Sequence, residues 1–406
     1  MINKISNANV LMNSFYEAKK SCSWKNSVQQ YEANLLKNIR HTQIELREKT
    51  YKQQEFYNFF LNERGKERFV RSICFYDRVI QRAVCDVVNP MVEPYLIYDN
   101  GASVKKKGID FARKRIENHL HKYYRKYGNI GYALIIDFSK FYDNILHKPL
   151  MDMYREIIDD EDLINLISHL VDSFSVDISN YDIKENDLFD SLVYAKENPS
   201  KTGEKYLNKS LGIGSQISQI SGIYYPSKMD NYCKIVKGMK FYGRYMDDTY
   251  IISNNKEELK QLLIEINDIC KKLGIFVNPK KTQIFRIDKG FTFLKIKYRL
   301  TETGHVVRIP VKKGFVREKR KLKSFKKMLD NGQMTFKDIE EQYKSWRGNI
   351  QKYDCYKTLK TIDKLFEELF INNNSQNSHW ISVIMYIENR ATIKVVFFRV
   401  YIRGEE

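Results

Sequence analysis

Two adjacent aspartates, Asp247 and Asp248, lie in the stretch FYGRYMDDTYIIS (241–253), between an aromatic run and an apolar, β-branched one. The pattern on either side predicts two strands joined by a tight turn at the aspartates. A third aspartate, Asp137, ends YALIID (132–137), a short apolar run that reads as a buried strand. If these strands share one sheet, three carboxylates converge at one edge. Like charges packed together are unfavourable unless cations neutralise them. Mg²⁺ suits such a site, because it takes carboxylate oxygens and substrate phosphates together. Two such ions roughly 3.5–4 Å apart stabilise the attacking and leaving oxygens of an in-line phosphoryl transfer. An Asp-Asp pair is also ordinary turn chemistry, since Asp favours turns, so other segments must decide.

Composition narrows the partners. Lys and Arg number 69 and Asp and Glu 50, a formal charge of +19 over 406 residues, with 28 Tyr and 23 Phe. That balance points to a polyanion, most simply nucleic acid, whose phosphates attract the cations and whose bases stack on rings. The six cysteines are scattered and form no C-x-x-C pair, which argues against zinc and against a disulfide framework. A reduced, cytoplasmic compartment is the expectation. MINKISNANVLMNSFYEAKK at the N-terminus has no long apolar stretch, so no signal peptide is expected, and no apolar run is long enough to span a bilayer.

The elements that must position the aspartates follow from periodicity. The first sixty or so residues read as helices, for example VQQYEANLLKNI. Helical segments surround the loop YDNGASVKKKG (98–108). Residues 150–172 look helical, and 173–209 read as a polar, irregular insertion. SQISGIYYPSKMDNYCKIV reads as a helix interrupted near Pro226. KEELKQLLIEINDICKKLG is an amphipathic helix stopping at Gly274. FTFLKIKYRL and HVVRIPV alternate like strands, and IKVVFFRVYI near the C-terminus reads as a hairpin. The order strand, helix, helix, strand pair, helix, strand is an α+β pattern with a mostly antiparallel sheet.

Several ordered motifs then carry a family resemblance. RYMDD, preceded by YALIIDFSKFYDNI, resembles the palm of a reverse transcriptase, in particular the bacterial group of retron, diversity-generating-retroelement and defence-associated enzymes. KERFVRSICFYDRVIQ resembles the fingers segment, whose triphosphate-contacting arginine falls on Arg68. DFSKFYDNI resembles the first palm motif, with Asp137 as its metal ligand and Tyr142 as the aromatic that excludes a 2′-hydroxyl. LGIGSQISQ aligns with the family's LPIGNLTSQ, which carries Gly214, Ser218 and Gln219 to the nucleotide or template. YMDD supplies Asp247 and Asp248. GIFVNPKKTQIF resembles the next motif, in which Lys281 is the candidate acid for the pyrophosphate leaving group. FTFLKIKY resembles the primer grip and KSWRGNIQKYDCYKTL a thumb segment.

This sequence also departs from the family. Its proline falls on Gly212, a frequent glutamine on Ile213, and a frequent loop arginine on Val104, where Lys105, Lys106 and Lys107 offer charge instead. Neither the NAxxH nor the VTG signature of retron enzymes is present. Asp143 and Asp230, though close to the motifs, read as structural. His119 and His121 lie two apart, so on a helix they face apart and make no metal pair. The run KKGFVREKRKLKSFKK (312–327) suits contact with a nucleic-acid backbone, and Trp346 and Tyr353 are expected to pack.

The resemblance implies a right-hand polymerase with fingers, a ferredoxin-like palm (antiparallel sheet plus helices) and an α-helical thumb. Its divisions are an N-terminal helical region (1–65), fingers (66–130), palm (131–150), a fingers insertion (151–210), palm again (211–300), thumb (301–372) and a C-terminal extension (373–406). The implied activity is RNA-directed DNA synthesis with Mg²⁺ and dNTPs on an RNA template. A noncoding RNA partner and a role in bacterial antiviral defence are the expectation, with an oligomer or partner protein left open. The alternatives are a diversity-generating-retroelement enzyme, an untemplated or protein-primed polymerase, and a catalytically silent RNA-binding scaffold.

Overall fold

The computed structural model describes residues 1–63, 65–177 and 206–371. These fall into two compact units that divide between Val311 and Lys312. The hairpin expected at IKVVFFRVYI and most of the 173–209 insertion lie outside the described residues.

The first unit opens with four helices, α1 (Ile2–Ile5), α2 (Ala8–Lys19), α3 (Asn26–Ala33) and α4 (Leu35–Arg47). Their apolar stripes close on the start of α5 (Phe75–Val92) through Phe15, Val28, Tyr31, Phe75 and Val79. Between α4 and α5 the helical expectation fails. β1 (Tyr57–Glu63) and β2 (Lys66–Ser72) form an antiparallel hairpin, with Phe60 opposite Phe69. Its turn contains Gly65 at φ +77°, a backbone conformation that glycine adopts without strain. The run YNFFLNE is rich in aromatic residues, and the pairing partner across that turn outweighs the helical pattern preceding it.

The central sheet follows. After α6 (Ile109–Tyr127) come β3 (Tyr132–Ile136), the short β4 (Phe138–Ser139), α7 (Phe141–Asn144), α8 (His147–Arg155) and α9 (Glu161–Asp172). β5 (Val176–Asp177) and β6 (Tyr206–Leu207) pair across the insertion. Next are α10 (Gln216–Tyr224) and α11 (Ser227–Asn231), with Pro226 at the junction where the interruption was expected. β7 (Tyr242–Tyr245) and β8 (Asp248–Ser253) form the hairpin around the adjacent aspartates.

α12 (Lys256–Lys272) is specified locally at both ends. The Asn255 side chain accepts from the amides of Glu257 and Glu258, and Gly274 at φ +65° stops the helix. Its buried Leu259, Leu262, Ile266 and Cys270 form one stripe. The unit ends with β9 (Phe276–Val277), β10 (Gln283–Arg286), β11 (Phe291–Phe293), β12 (Ile296–Leu300) and β13 (Val306–Pro310). The central sheet runs β10-β3-β8-β7, antiparallel at every junction, and β11-β12-β13 make a second antiparallel sheet. A shared core containing Leu134, Ile136, Ile217, Ile251 and Ile266 binds the central sheet to its helices.

In the second unit α13 (Lys312–Asp330), α14 (Phe336–Ile350) and α15 (Tyr356–Phe370) enclose Phe315, Leu322, Ile339, Tyr343, Ile362 and Phe366. The rings of Tyr343 and Phe366 stack 4.2 Å apart. Trp346 and Tyr353 pack against this core, as the sequence suggested. The six cysteines are free thiols. No helix among the described residues is long and apolar enough to cross a membrane.

Candidate active site

The register of the central sheet brings the aspartates together. Ile136 of β3 sits opposite Thr249 of β8. One step further along each strand are Asp137 and Asp248, which therefore meet where the ladder ends. Asp247 precedes Asp248 in the β7–β8 turn, where Met246 takes φ +54°, an uncommon value for a residue with a side chain. Burial, then the charges of Asp247 and Asp137, push the Asp248 carboxyl up to about 7. Desolvation and like charge thus act in the same direction on one group.

Lys281 brings a positive charge into this cluster. Its ammonium donates to both carboxylate oxygens of Asp137, at 2.9 and 2.7 Å. The loop before β10 holds it there: the Asn278 amide donates to the Asp137 carbonyl at 2.8 Å, and the Asp137 amide donates to Thr282 Oγ1 at 3.4 Å. Lys281 remains about half exposed, at 53%.

Tyr142 closes another side. Its hydroxyl donates to Met246 Sδ at 3.4 Å, and its ring lies edge-on to Phe141. Burial, with Asp247 adding to it, pushes the phenol up to about 12, so it stays protonated. A Cβ on Gly222 would stand 2.8 Å from the Tyr142 hydroxyl, so α10 approaches the ring only because residue 222 lacks a side chain.

Of the residues singled out in the sequence, Asp137, Asp247, Asp248, Tyr142 and Lys281 therefore meet. Gly214 takes φ +98° in the turn before α10, and Gln219 is exposed on that helix. Arg68 lies on β2 opposite Leu61. In the 98–108 loop the Lys107 ammonium donates to the Tyr98 carbonyl at 2.7 Å and sits over the Tyr98 and Phe111 rings. His119 is buried against Tyr250, and His121 faces Glu117.

The sequence profile described as "Reverse transcriptase (RNA-dependent DNA polymerase)" matches residues 52–298, more than half of the chain. The chain belongs to the reverse transcriptase family. Its α+β architecture is that of the family. No curated protein matches the sequence. Among solved structures this reverse transcriptase is similar to apo telomerase from Candida tropicalis truncated from its C-terminal domain, at 17% identity, 63% coverage of this chain and TM-score 0.43. It is also similar to telomerase from Candida albicans in complex with a fragment of telomeric RNA, at 12% identity, 85% coverage and TM-score 0.47. The chain spans 55% of the first of these proteins and 66% of the second.

Whether the aspartates suit a metal is a matter of donor chemistry. Among the described residues no three or more His, Cys, Asp or Glu side chains form a ready ligand group. The expected metal triad is therefore not closed: Asp137 is turned onto the Lys281 ammonium. The donors nevertheless fit a hard divalent cation, being carboxylates crowded until one resists ionisation. Lys281 is the cation that relieves Asp137.

Sequence reasoning missed what lies beneath the turn. Asp230 was assigned a structural place and has one, in a buried ion pair with Arg244, which had no role. The signal was available: an arginine inside the otherwise apolar and aromatic strand YGRY must find a buried partner.

The Asp248 carboxyl gives a pH prediction for the metal-free enzyme. Its folded value, about 7, exceeds its ordinary 3.8, so between these values the native state binds the proton more tightly than the unfolded chain does. Stability is therefore lost as pH rises from about 4 to 7. Melting temperatures in EDTA should fall across that window in the wild type and fall less in Asp248→Asn. Parallel curves would contradict the assignment.

Proposed function

We propose that Asp137, Asp247 and Asp248 are the metal-binding and catalytic carboxylates of templated DNA synthesis. The observation that carries this is the register that brings Asp137 and Asp248 to the end of the β3–β8 ladder beside Asp247, where burial and then the charges of Asp247 and Asp137 raise the Asp248 carboxyl to about 7. Mg²⁺, when bound by these carboxylates, supplies the positive charge that stabilises the attacking and leaving oxygens of the phosphoryl transfer. A primer 3′-hydroxyl attacks the α-phosphate of a dNTP; the new P–O bond forms as the bond to pyrophosphate breaks.

The chain's own residues have separable tasks. Asp137 would help hold the cation, and the Lys281 ammonium, 2.7 Å from that carboxylate, would donate a proton to the departing pyrophosphate. Tyr142, wedged between Met246 and Gly222, is the wall against a 2′-hydroxyl. Arg68 takes the triphosphate by a guanidinium–phosphate contact. The turn at Gly214 and the exposed Gln219 lie along the nucleotide or template. The basic helix α13 holds the nucleic-acid backbone by counterion release.

The narrower reading is a bacterial defence-associated enzyme acting with a structured noncoding RNA. It rests on the motif resemblance, on the missing retron signatures and on the departures from the family pattern at Gly212, Ile213 and Val104.

Purified protein with its bound nucleic acid, given labelled dNTPs and Mg²⁺, should make DNA complementary to one co-purifying RNA. Asp247→Ala should reduce this to background; continued synthesis in that variant would remove the aspartates from the mechanism. In the same assay Tyr142→Ala should incorporate ribonucleotides that the wild type rejects, and unchanged sugar selectivity would return Tyr142 to a packing role. For the defence reading, cells carrying the native locus should resist phage, and Asp247→Ala with Asp248→Ala should abolish resistance. Protection retained in the double variant would separate defence from synthesis.

A further inference from the structure

Among the described residues Arg244 is the largest side chain wholly withdrawn from solvent, and its partner Asp230 is withdrawn with it, both at 0% side-chain exposure. Nε lies 2.9 Å from each Asp230 oxygen and Nη2 lies 2.7 Å from Oδ2. The remaining donors leave the pair: Nη1 donates to the Met246 carbonyl at 3.0 Å and Nη2 to the Ile223 carbonyl at 2.7 Å. The Tyr242 hydroxyl donates to Asp230. The Arg244 backbone is fixed as well, its amide donating to the Asp99 carbonyl at 3.2 Å and its carbonyl accepting from Gly101 at 3.0 Å.

A buried ion pair is a poor device for stability alone, because desolvating two charges offsets much of their attraction, and well-packed apolar residues often do as well. What an apolar pair cannot supply is a donor to the Met246 carbonyl. That carbonyl belongs to the turn residue held at φ +54°, immediately before Asp247. The Ile223 carbonyl belongs to α10, next to Gly222, against which Tyr142 packs. One guanidinium therefore ties together the turn bearing the aspartates, the helix behind the sugar wall and, through Asp230, helix α11.

We infer that Arg244, oriented by Asp230, is a positioning residue for polymerisation, holding the Met246–Asp247 turn in the conformation that aims the aspartates. This rests on the reading of Asp247 and Asp248 as catalytic. Neither Arg244 nor Asp230 touches substrate in this account; both act through the turn.

The test replaces the charged group with an apolar one, Arg244→Met with Asp230→Leu and Tyr242→Phe, and measures melting temperature, kcat and dNTP KM on a primed template. The expected result is a near-wild-type melting temperature, unchanged KM and kcat lower by about a hundredfold, the scale of a small misplacement of catalytic groups. Hydrogen exchange at the 245–248 turn should quicken. A folded triple variant with wild-type kcat would overturn the inference. Should the triple variant not fold, Arg244→Lys decides: it keeps a cation on Asp230 but cannot reach both carbonyls, so kcat should fall with KM unchanged, and a folded lysine variant of wild-type kcat would likewise overturn it. Asp247→Ala serves as the control. Activity surviving there defeats the assignment of the aspartates, whereas an inactive Asp247→Ala beside a fully active triple variant defeats only the positioning role.

Discussion

Negative charge accumulates where the β3–β8 ladder ends, and much of the surrounding structure manages that charge. Asp137 and Asp248 are neighbours by register, and Asp247 is adjacent by sequence. A strand end is the natural place for such a cluster. The backbone hydrogen bonds of the ladder fix the position of each carboxylate, while the missing next pair leaves room for counter-charge. The cost appears on Asp248, whose carboxyl resists ionisation near neutrality. Lys281 and Lys295 draw that carboxyl back down, while Arg244 acts on the turn through hydrogen bonds. Lys281 comes from a loop bonded to the Asp137 backbone, stays half exposed and donates to both Asp137 oxygens. Arg244 is sealed beneath the turn and already matched by Asp230, so it contributes rigidity and little net field.

The edge of the sheet is handled with similar economy. β7 is an edge strand, and an unpaired edge next to the aspartate turn invites slippage or foreign pairing. The segment at Asp99–Gly101 covers it, forming backbone hydrogen bonds on both sides of Arg244. Asp99 is in turn anchored by Lys234 at 2.7 Å and by Arg115, with buried His119 nearby. Burial lowers the His119 imidazole to about 4, so it serves as a neutral hydrogen-bonding group at neutral pH. A Cβ on Gly101 would stand 2.8 Å from Ala112 Cβ and 3.3 Å from the Tyr245 ring, which is why the covering segment needs glycine at its point of closest approach. The strand carrying the aspartate turn is thus held on one side by β8 and on the other by a loop with its own buried charge network.

Much of this was legible in the sequence because its signals are local. The alternation around the adjacent aspartates, the capped helix before Gly274 and the break at Pro226 each depend on neighbours a few residues away. The convergence of Asp137 with Asp248 required only that their strands pair, and charge at the end of an apolar run was the clue. The β1–β2 hairpin was not legible, because the preceding helical pattern runs almost up to it, and its sheet is stabilised by pairing across the turn rather than by a buried face. Arg244 escaped for a different reason: its partners Asp230, Ile223 and Met246 come from three elements, and no spacing in the chain announces that they meet.

The departures from the family pattern acquire a physical meaning in this setting. Where relatives place a proline, Gly212 lies flat against the buried ring of Phe174, and a Cβ there would come within 2.0 Å of that ring. Phe174 is itself held from the other side, since Arg71 of β2 lies over its ring and donates to its carbonyl at 2.8 Å. The residue before the glycine turn at 214 is therefore connected, through one aromatic ring and one arginine, to the hairpin that carries Arg68. A proline would bring carbon atoms into the space the ring occupies and break that connection. Glycine at 212 is thus better understood as a repacking of the ground between hairpin and helix α10 than as a loss of the motif, and it leaves the carboxylates at the ladder end untouched.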